Sequence, residues 1–192
     1  MKDRNIVGLL HERIRLLERE NTQLKKEVEF FRRTPTLAQG LKGETLIANL
    51  TDGARTGYKD PHDVTVKGGD RLEVKYSHVN VPNSSTTRRW NWHSVLGSAH
   101  NKKYEHLVLV GEKDPRYEDQ YPADLPFVFF LVPRSDVDHI KTGNDIALNT
   151  NLATARASKS LALKRHLVMA EDTFTNLLGT AEAKTLPRIP NG

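Results

Sequence analysis

Two runs, HLVLVGE at 106–112 and FVFFLVP at 127–133, stay apolar on consecutive residues. Strand side chains point alternately to the two faces of a sheet, so a run that never alternates must be covered on both sides. The cover available is helical. The pattern predicts helices at 36–50, with Leu46, Ile47 and Leu50 on one face, and at 88–97 (RRWNWHSVLG), capped by Thr87 and stopped by Gly97. A third, at 158–178, turns Leu163, Leu167, Phe174, Leu177 and Leu178 inward. Two more strands, 62–66 and 71–79, form a hairpin around Gly68-Gly69, and 146–152 reads as an edge strand. The expected fold class is α/β (α+β), a mixed central sheet flanked by helices over residues 35–180, with a loose tail at 181–192.

Residues 1–34 carry a different period. With Val7 at heptad position a, the a series is Val7, Ile14, Asn21 and Val28, and the d series is Leu10, Leu17, Leu24 and Phe31. β-Branched residues at a with Leu at d favour a two-stranded parallel coiled coil, and one Asn at a fixes its register. The pairs Arg13–Glu18, Glu20–Lys25 and Glu27–Arg32 fall where a parallel partner chain would attract them. Leu9, Leu16 and Phe30 form a second apolar stripe, which would serve a single helix lying on its own domain. The seam, the Asn and the charge pairs together favour a homodimer. Thr34-Pro35 ends the helix, because proline disfavours α geometry in the preceding residue.

Composition excludes several chemistries. There is no cysteine, hence no disulfide, no Cys-ligated zinc and no thiol nucleophile, which fits a reducing cytoplasm. No apolar run reaches the roughly 20 residues of a membrane span, and MKDRNIVGLLHERIR lacks the apolar core of a signal peptide. Net charge is +5, of which residues 1–34, with nine Lys/Arg and six Asp/Glu, supply +3. So small a surplus does not declare a nucleic-acid binder, and local patches must carry that argument.

The hairpin HDVTVKGGDRLEVKYS holds the chemistry. Asp63 stands at its mouth, and Glu73 and Lys75, two apart on the return strand, share a face. Two carboxylates suit a hard cation such as Mg²⁺, and a neighbouring ammonium suits phosphodiester hydrolysis, where it orients water or neutralises developing charge. Acids and lysines also alternate on many hairpins whose polar face is simply solvated. Loop length separates the two cases. A two-residue loop, Gly68-Gly69, sets Asp63 opposite Val74 and on the wrong face. An odd loop, Gly68-Gly69-Asp70, sets it opposite Lys75 with all three groups together, and a bulge near Pro61–Asp63 would do the same.

The order of these residues carries a resemblance. A helix holds Glu44 in Lys42-Gly43-Glu44, Asp63 opens the hairpin, and Glu73-Val74-Lys75 lies on the next strand. A linking helix and a buried strand follow. This order resembles the PD-(D/E)XK nuclease superfamily over residues 40–135. The resemblance implies a restriction-endonuclease-like fold and cleavage of double-stranded DNA with Mg²⁺, for which Mn²⁺ can substitute. It makes Asp63 and Glu73 metal ligands together with the Val74 carbonyl, Lys75 a catalytic residue and Glu44 an auxiliary acid. The usual Pro-Asp dipeptide is interrupted here as Pro61-His62-Asp63, which leaves Asp60 as the fallback ligand.

For DNA contacts, Arg88, Arg89, Lys102 and Lys103 lie in an acid-free stretch with Trp92, and Asn80 opens the polar loop before it. The expectation is a homodimeric type II site-specific deoxyribonuclease of a restriction system, cytoplasmic and of prokaryotic or phage origin. A two-fold along the coiled coil would match the antiparallel strands of a palindrome. Two alternatives stay open: a structure-specific, junction-resolvase-like repair nuclease, and a non-catalytic coiled-coil DNA-binding protein.

Overall fold

The computed structural model describes residues 11–15, 17, 18, 21, 35–57, 59–81, 87–97, 99–170 and 172–174, with side chains of the first helix from Gln39 onward. The chain divides into two units, Met1–Gln39 and Gly40–Gly192. In the first, residues 11–15, 17, 18 and 21 are helical and exposed. Seam residues Ile14 and Leu17 are 49% and 46% exposed. The other apolar seam positions, Val7, Leu10, Leu24, Val28 and Phe31, lie outside the described residues, as do Leu177, Leu178 and the tail at 181–192.

The second unit is a mixed α/β fold around a five-stranded sheet. Helix α1 (Pro35–Leu50) leads into β1 (Ala54–Arg55), β2 (Val64–Thr65) and β3 (Arg71–Ser77). Then come β4 (Arg89–Trp92), β5 (His106–Gly111), β6 (Val128–Pro133), α2 (Arg134–Ile140), β7 (Ile146–Asn149) and α3 (Ser158–Lys164). The main sheet runs β1-β2-β3-β5-β6. β3 and β5 are parallel, and the other neighbours are antiparallel.

The non-alternating runs behave as their composition requires. On β5, Leu107 and Leu109 enter one core with Trp90, Trp92 and Phe130, whereas Val108 and Val110 enter the other with Ile47, Val74 and Phe129. α1 covers the second face. Its Gly43 lies so close to β3 that a Cβ there would stand 3.2 Å from Tyr76 Cβ. The helix ends where Asp52 takes a left-handed φ of 48° and Gly53 N–H returns to the Ala48 carbonyl at 2.8 Å.

The first face corrects three expectations. Residues 88–97 are not a helix: Arg89–Trp92 form β4, paired antiparallel with β7 in a separate two-stranded sheet. Trp-Asn-Trp is a period-two pattern. Trp90 and Trp92 are 0% and 1% exposed, and their indoles donate to the Glu112 and Val110 carbonyls at 2.8 and 2.9 Å. Residues 146–152 accordingly yield β7 on that small sheet, not an edge of the main one. The helix expected at 158–178 stops at Lys164. Leu167 then bridges to Phe130, Leu131 N–H bonds to the His166 carbonyl, and Val168 N–H bonds to the Phe129 carbonyl, both at 2.9 Å. Pairing with the open edge of β6 satisfies backbone groups that a continued helix would leave exposed.

Among the described residues no helix is long and apolar enough to cross a membrane.

Candidate functional site

The hairpin loop decides which face Asp63 takes. Val64 pairs with Leu72 and Thr65 with Arg71, so the loop is the five residues 66–70, closed by Val66 N–H on the Asp70 carbonyl at 3.0 Å. Gly69 takes the left-handed φ of 87° that the turn needs. The loop is odd, as the shared face requires, but two residues longer than Gly68-Gly69-Asp70. The pairing ends at Val64–Leu72: Asp63 N–H bonds to the Leu72 carbonyl at 2.9 Å, and its carboxylate reaches Val74 N–H rather than standing opposite Lys75.

There the two carboxylates meet one ammonium. Lys102 Nζ stands 3.0 Å from Asp63 Oδ1 and 2.9 Å from Glu73 Oε2. Lys75 Nζ stands 2.7 Å from Glu73 Oε1. Glu73 is completely buried, and each of its oxygens is met by one of these ammonium groups. The other Asp63 oxygen accepts from Val74 N–H at 2.9 Å. A strand residue's N–H and C=O face the same neighbour, so the Val74 carbonyl lies on the Asp63 side.

Burial is the leading influence on Glu73. It pushes the carboxyl above its ordinary value, Lys75 opposes the shift, and Asp63 adds to it. Burial also raises Glu44, reinforced by the charge of Asp63, while Arg55 at 3.5 Å pulls the other way. For Lys102 burial works downward, but hydrogen bonding to Glu73 and the two carboxylate charges outweigh it and hold the ammonium above its usual range. The cluster is therefore a largely buried charged site: two acids between two lysines, with Glu44 near one acid.

Neighbouring elements fix this geometry. Arg71 holds the Glu105 carboxylate through its guanidinium and its backbone N–H, tying the start of β3 to the residue before β5 and drawing that carboxyl down to about 2. The loop carrying Lys102 is clamped from behind. Asn144 accepts from Leu96 N–H and donates to the Gly97 carbonyl, both at 2.8 Å, and Lys103 N–H bonds to the Pro61 carbonyl at 2.8 Å. Gly97 has φ 79°, and a Cβ there would meet Lys102 Cγ at 2.9 Å. Glycine thus admits both the turn and the lysine stem.

Asp63, Glu73, Lys75 and Lys102 come together, with Glu44 near Asp63. Asp60 instead closes its own turn, accepting from Gly57 N–H at 2.5 Å. Trp92 belongs to the core, so its side chain is not on a DNA-facing surface as expected. Arg88 leans on the fully buried Asp114 at 3.5 Å, whose main partner is Arg116 at 2.9 Å. Arg89, Lys103 and Asn80 are exposed. His62 bonds to Thr65 at 2.8 Å and His78 to Glu112 at 2.6 Å, so neither joins the carboxylates. Sequence reasoning assigned Lys102 to DNA and missed its place between the acids. No spacing reveals it, because a closed loop alone brings it 39 positions back to Asp63.

The donor set fits a hard divalent cation. Two carboxylates converge on one cationic group, and the Val74 carbonyl lies on the Asp63 side of its strand. No cage of three or more His, Cys, Asp or Glu side chains occurs among the described residues. Mg²⁺ does not need one, since it is commonly held by one or two carboxylates plus waters and substrate phosphates. The chain matches no protein-family model and no curated protein.

Proposed function

We propose that this protein is a Mg²⁺-dependent DNA endonuclease of the PD-(D/E)XK kind, acting as a homodimer and making a site-specific double-strand cut. One observation carries the reading: Asp63, just before β2, and Glu73, on β3, converge on a single cationic group with Lys75 beside them. A buried acid raised by desolvation and ringed by specific charges is the kind of group that functional sites contain. Asp63, Glu73 and the Val74 carbonyl would hold Mg²⁺, which supplies Lewis-acid polarisation of the scissile phosphodiester. Lys75, 22% exposed, reaches solvent from the floor of the site. It orients the attacking water or neutralises charge that develops on the phosphate. Glu44 serves as an auxiliary acid close to Asp63. Arg89, Lys103 and Asn80 offer exposed donors for phosphates. The half-exposed Ile14 and Leu17 support a partner helix along the heptad seam.

The test is incubation of the full chain with a large plasmid, with Mg²⁺ and with EDTA, followed by sequencing of the ends. Discrete fragments sharing one end sequence, formed only with Mg²⁺, are expected. A metal-dependent smear would indicate a nuclease without site preference, and binding without cleavage under any divalent metal would overturn the enzymatic reading.

A further inference from the structure

We propose that Lys102 is a built-in counter-ion of the metal centre: it holds the two carboxylates together when metal is absent, and a divalent cation must displace it to bind. The inference rests on the nuclease reading and adds an exchange step to it. The Lys102 ammonium lies within 3.0 Å of an oxygen of each acid, in the space a bridging cation would need. Without some cation there, Asp63 and a fully buried Glu73 would face each other as like charges, a costly arrangement. Lys75 does not fill this role, since it touches Glu73 only on the opposite oxygen.

The stem of Lys102 is threaded past Gly97 in a clamped loop, so the lysine is supplied in place rather than recruited from solvent. Its side chain is 19% exposed, which leaves the ammonium a path outward. Once displaced, it stands beside the metal centre next to the exposed Lys103. There its three donors suit a backbone phosphate oxygen better than a carboxylate already bound to metal. Metal loading and presentation of a phosphate-binding lysine are then one event.

Two measurements test this on the full-length protein. The first is acylation of lysines by an amine-reactive reagent, read by mass spectrometry, with EDTA and then with saturating Mn²⁺ or Mg²⁺. Lys102 should be protected without metal and react several-fold faster with it, while the exposed Lys67 stays constant. The second is Mn²⁺ titration followed by electron paramagnetic resonance. Lys102→Met should bind Mn²⁺ about ten-fold more tightly than wild type, because a competing charge at contact distance is gone. If metal saturates the site and Lys102 labelling does not change, the exchange is refuted, although metal-dependent cleavage could persist and the nuclease reading would stand. Failure of both wild type and a folded Lys102→Met to bind Mn²⁺ would remove the exchange together with the metal centre.

Discussion

Glu73→Gln separates a functional acid from a structural ion pair by the size of its effect on stability. If Glu73 were a keystone of the fold, removing its charge would strand two lysines and cost about 3–5 kcal/mol, as breaking a buried pair does. The structure argues otherwise. Burial outweighs both ammonium groups and pushes the carboxyl upward from 4.5, so the ionised form is a net burden on the metal-free fold. Glutamine keeps the shape, Lys102 keeps Asp63 at 3.0 Å, and Lys75 retains access to water. The variant should therefore be more stable than wild type at pH 8 and melt at a higher temperature. The sign depends on pH. Above 4.5 the unfolded chain has released the proton that folded Glu73 still holds, so wild-type stability falls as pH rises through the window up to the raised folded value. Glutamine lacks this dependence. Its advantage should open from pH 4.5 upward and vanish below. Urea denaturation in EDTA across that range, paired with plasmid cleavage in Mg²⁺, measures both halves. A loss of about 3 kcal/mol or more would refute the electrostatic reasoning, and undiminished cleavage would refute the site.

Three further outcomes follow from the geometry. Lys75→Ala should leave the fold intact and abolish cleavage, checked by circular dichroism and the plasmid assay. Gly111→Ala should cost about 1–3 kcal/mol by overpacking, because a Cβ there would stand 2.7 Å from the Trp90 indole nitrogen; denaturation followed by tryptophan fluorescence reads it. Removing residues 1–33 should make the protein monomeric at micromolar concentration in sedimentation, and a stable dimer of the truncated chain would place the dimer interface elsewhere.

The legible parts of this chain were those written in period two with one face fixed. β5 and β6 declared themselves by apolar runs too long to leave either face open. Glu73 and Lys75 share a face by spacing alone, and an odd loop around Gly69 keeps Asp63 with them, although its length exceeded the shortest odd solution. Trp90 and Trp92 show where local signals compete. Thr87 and Gly97 offer helix boundaries, yet two tryptophans at i and i+2 bury together only on a strand, and packing on Leu109 and Phe130 decided the outcome. At the end of the chain, the apolar spacing of Leu163 and Leu167 fits a helix, but the unpaired edge of β6 recruits residues 166–168 first. Lys102 was illegible for a different reason. Its role depends on a loop closure between Pro61 and Lys103 and on a clamp from Asn144, and neither leaves a pattern in sequence.

Anomalous diffraction from crystals of the full chain grown with Mn²⁺ tests the metal centre most directly. The account predicts a peak between Asp63 and Glu73, within coordination distance of both carboxylates and of the Val74 carbonyl, with the Lys102 ammonium moved off them. A saturating Mn²⁺ soak that leaves Lys102 bridging the two acids, with any bound ion elsewhere, would contradict it.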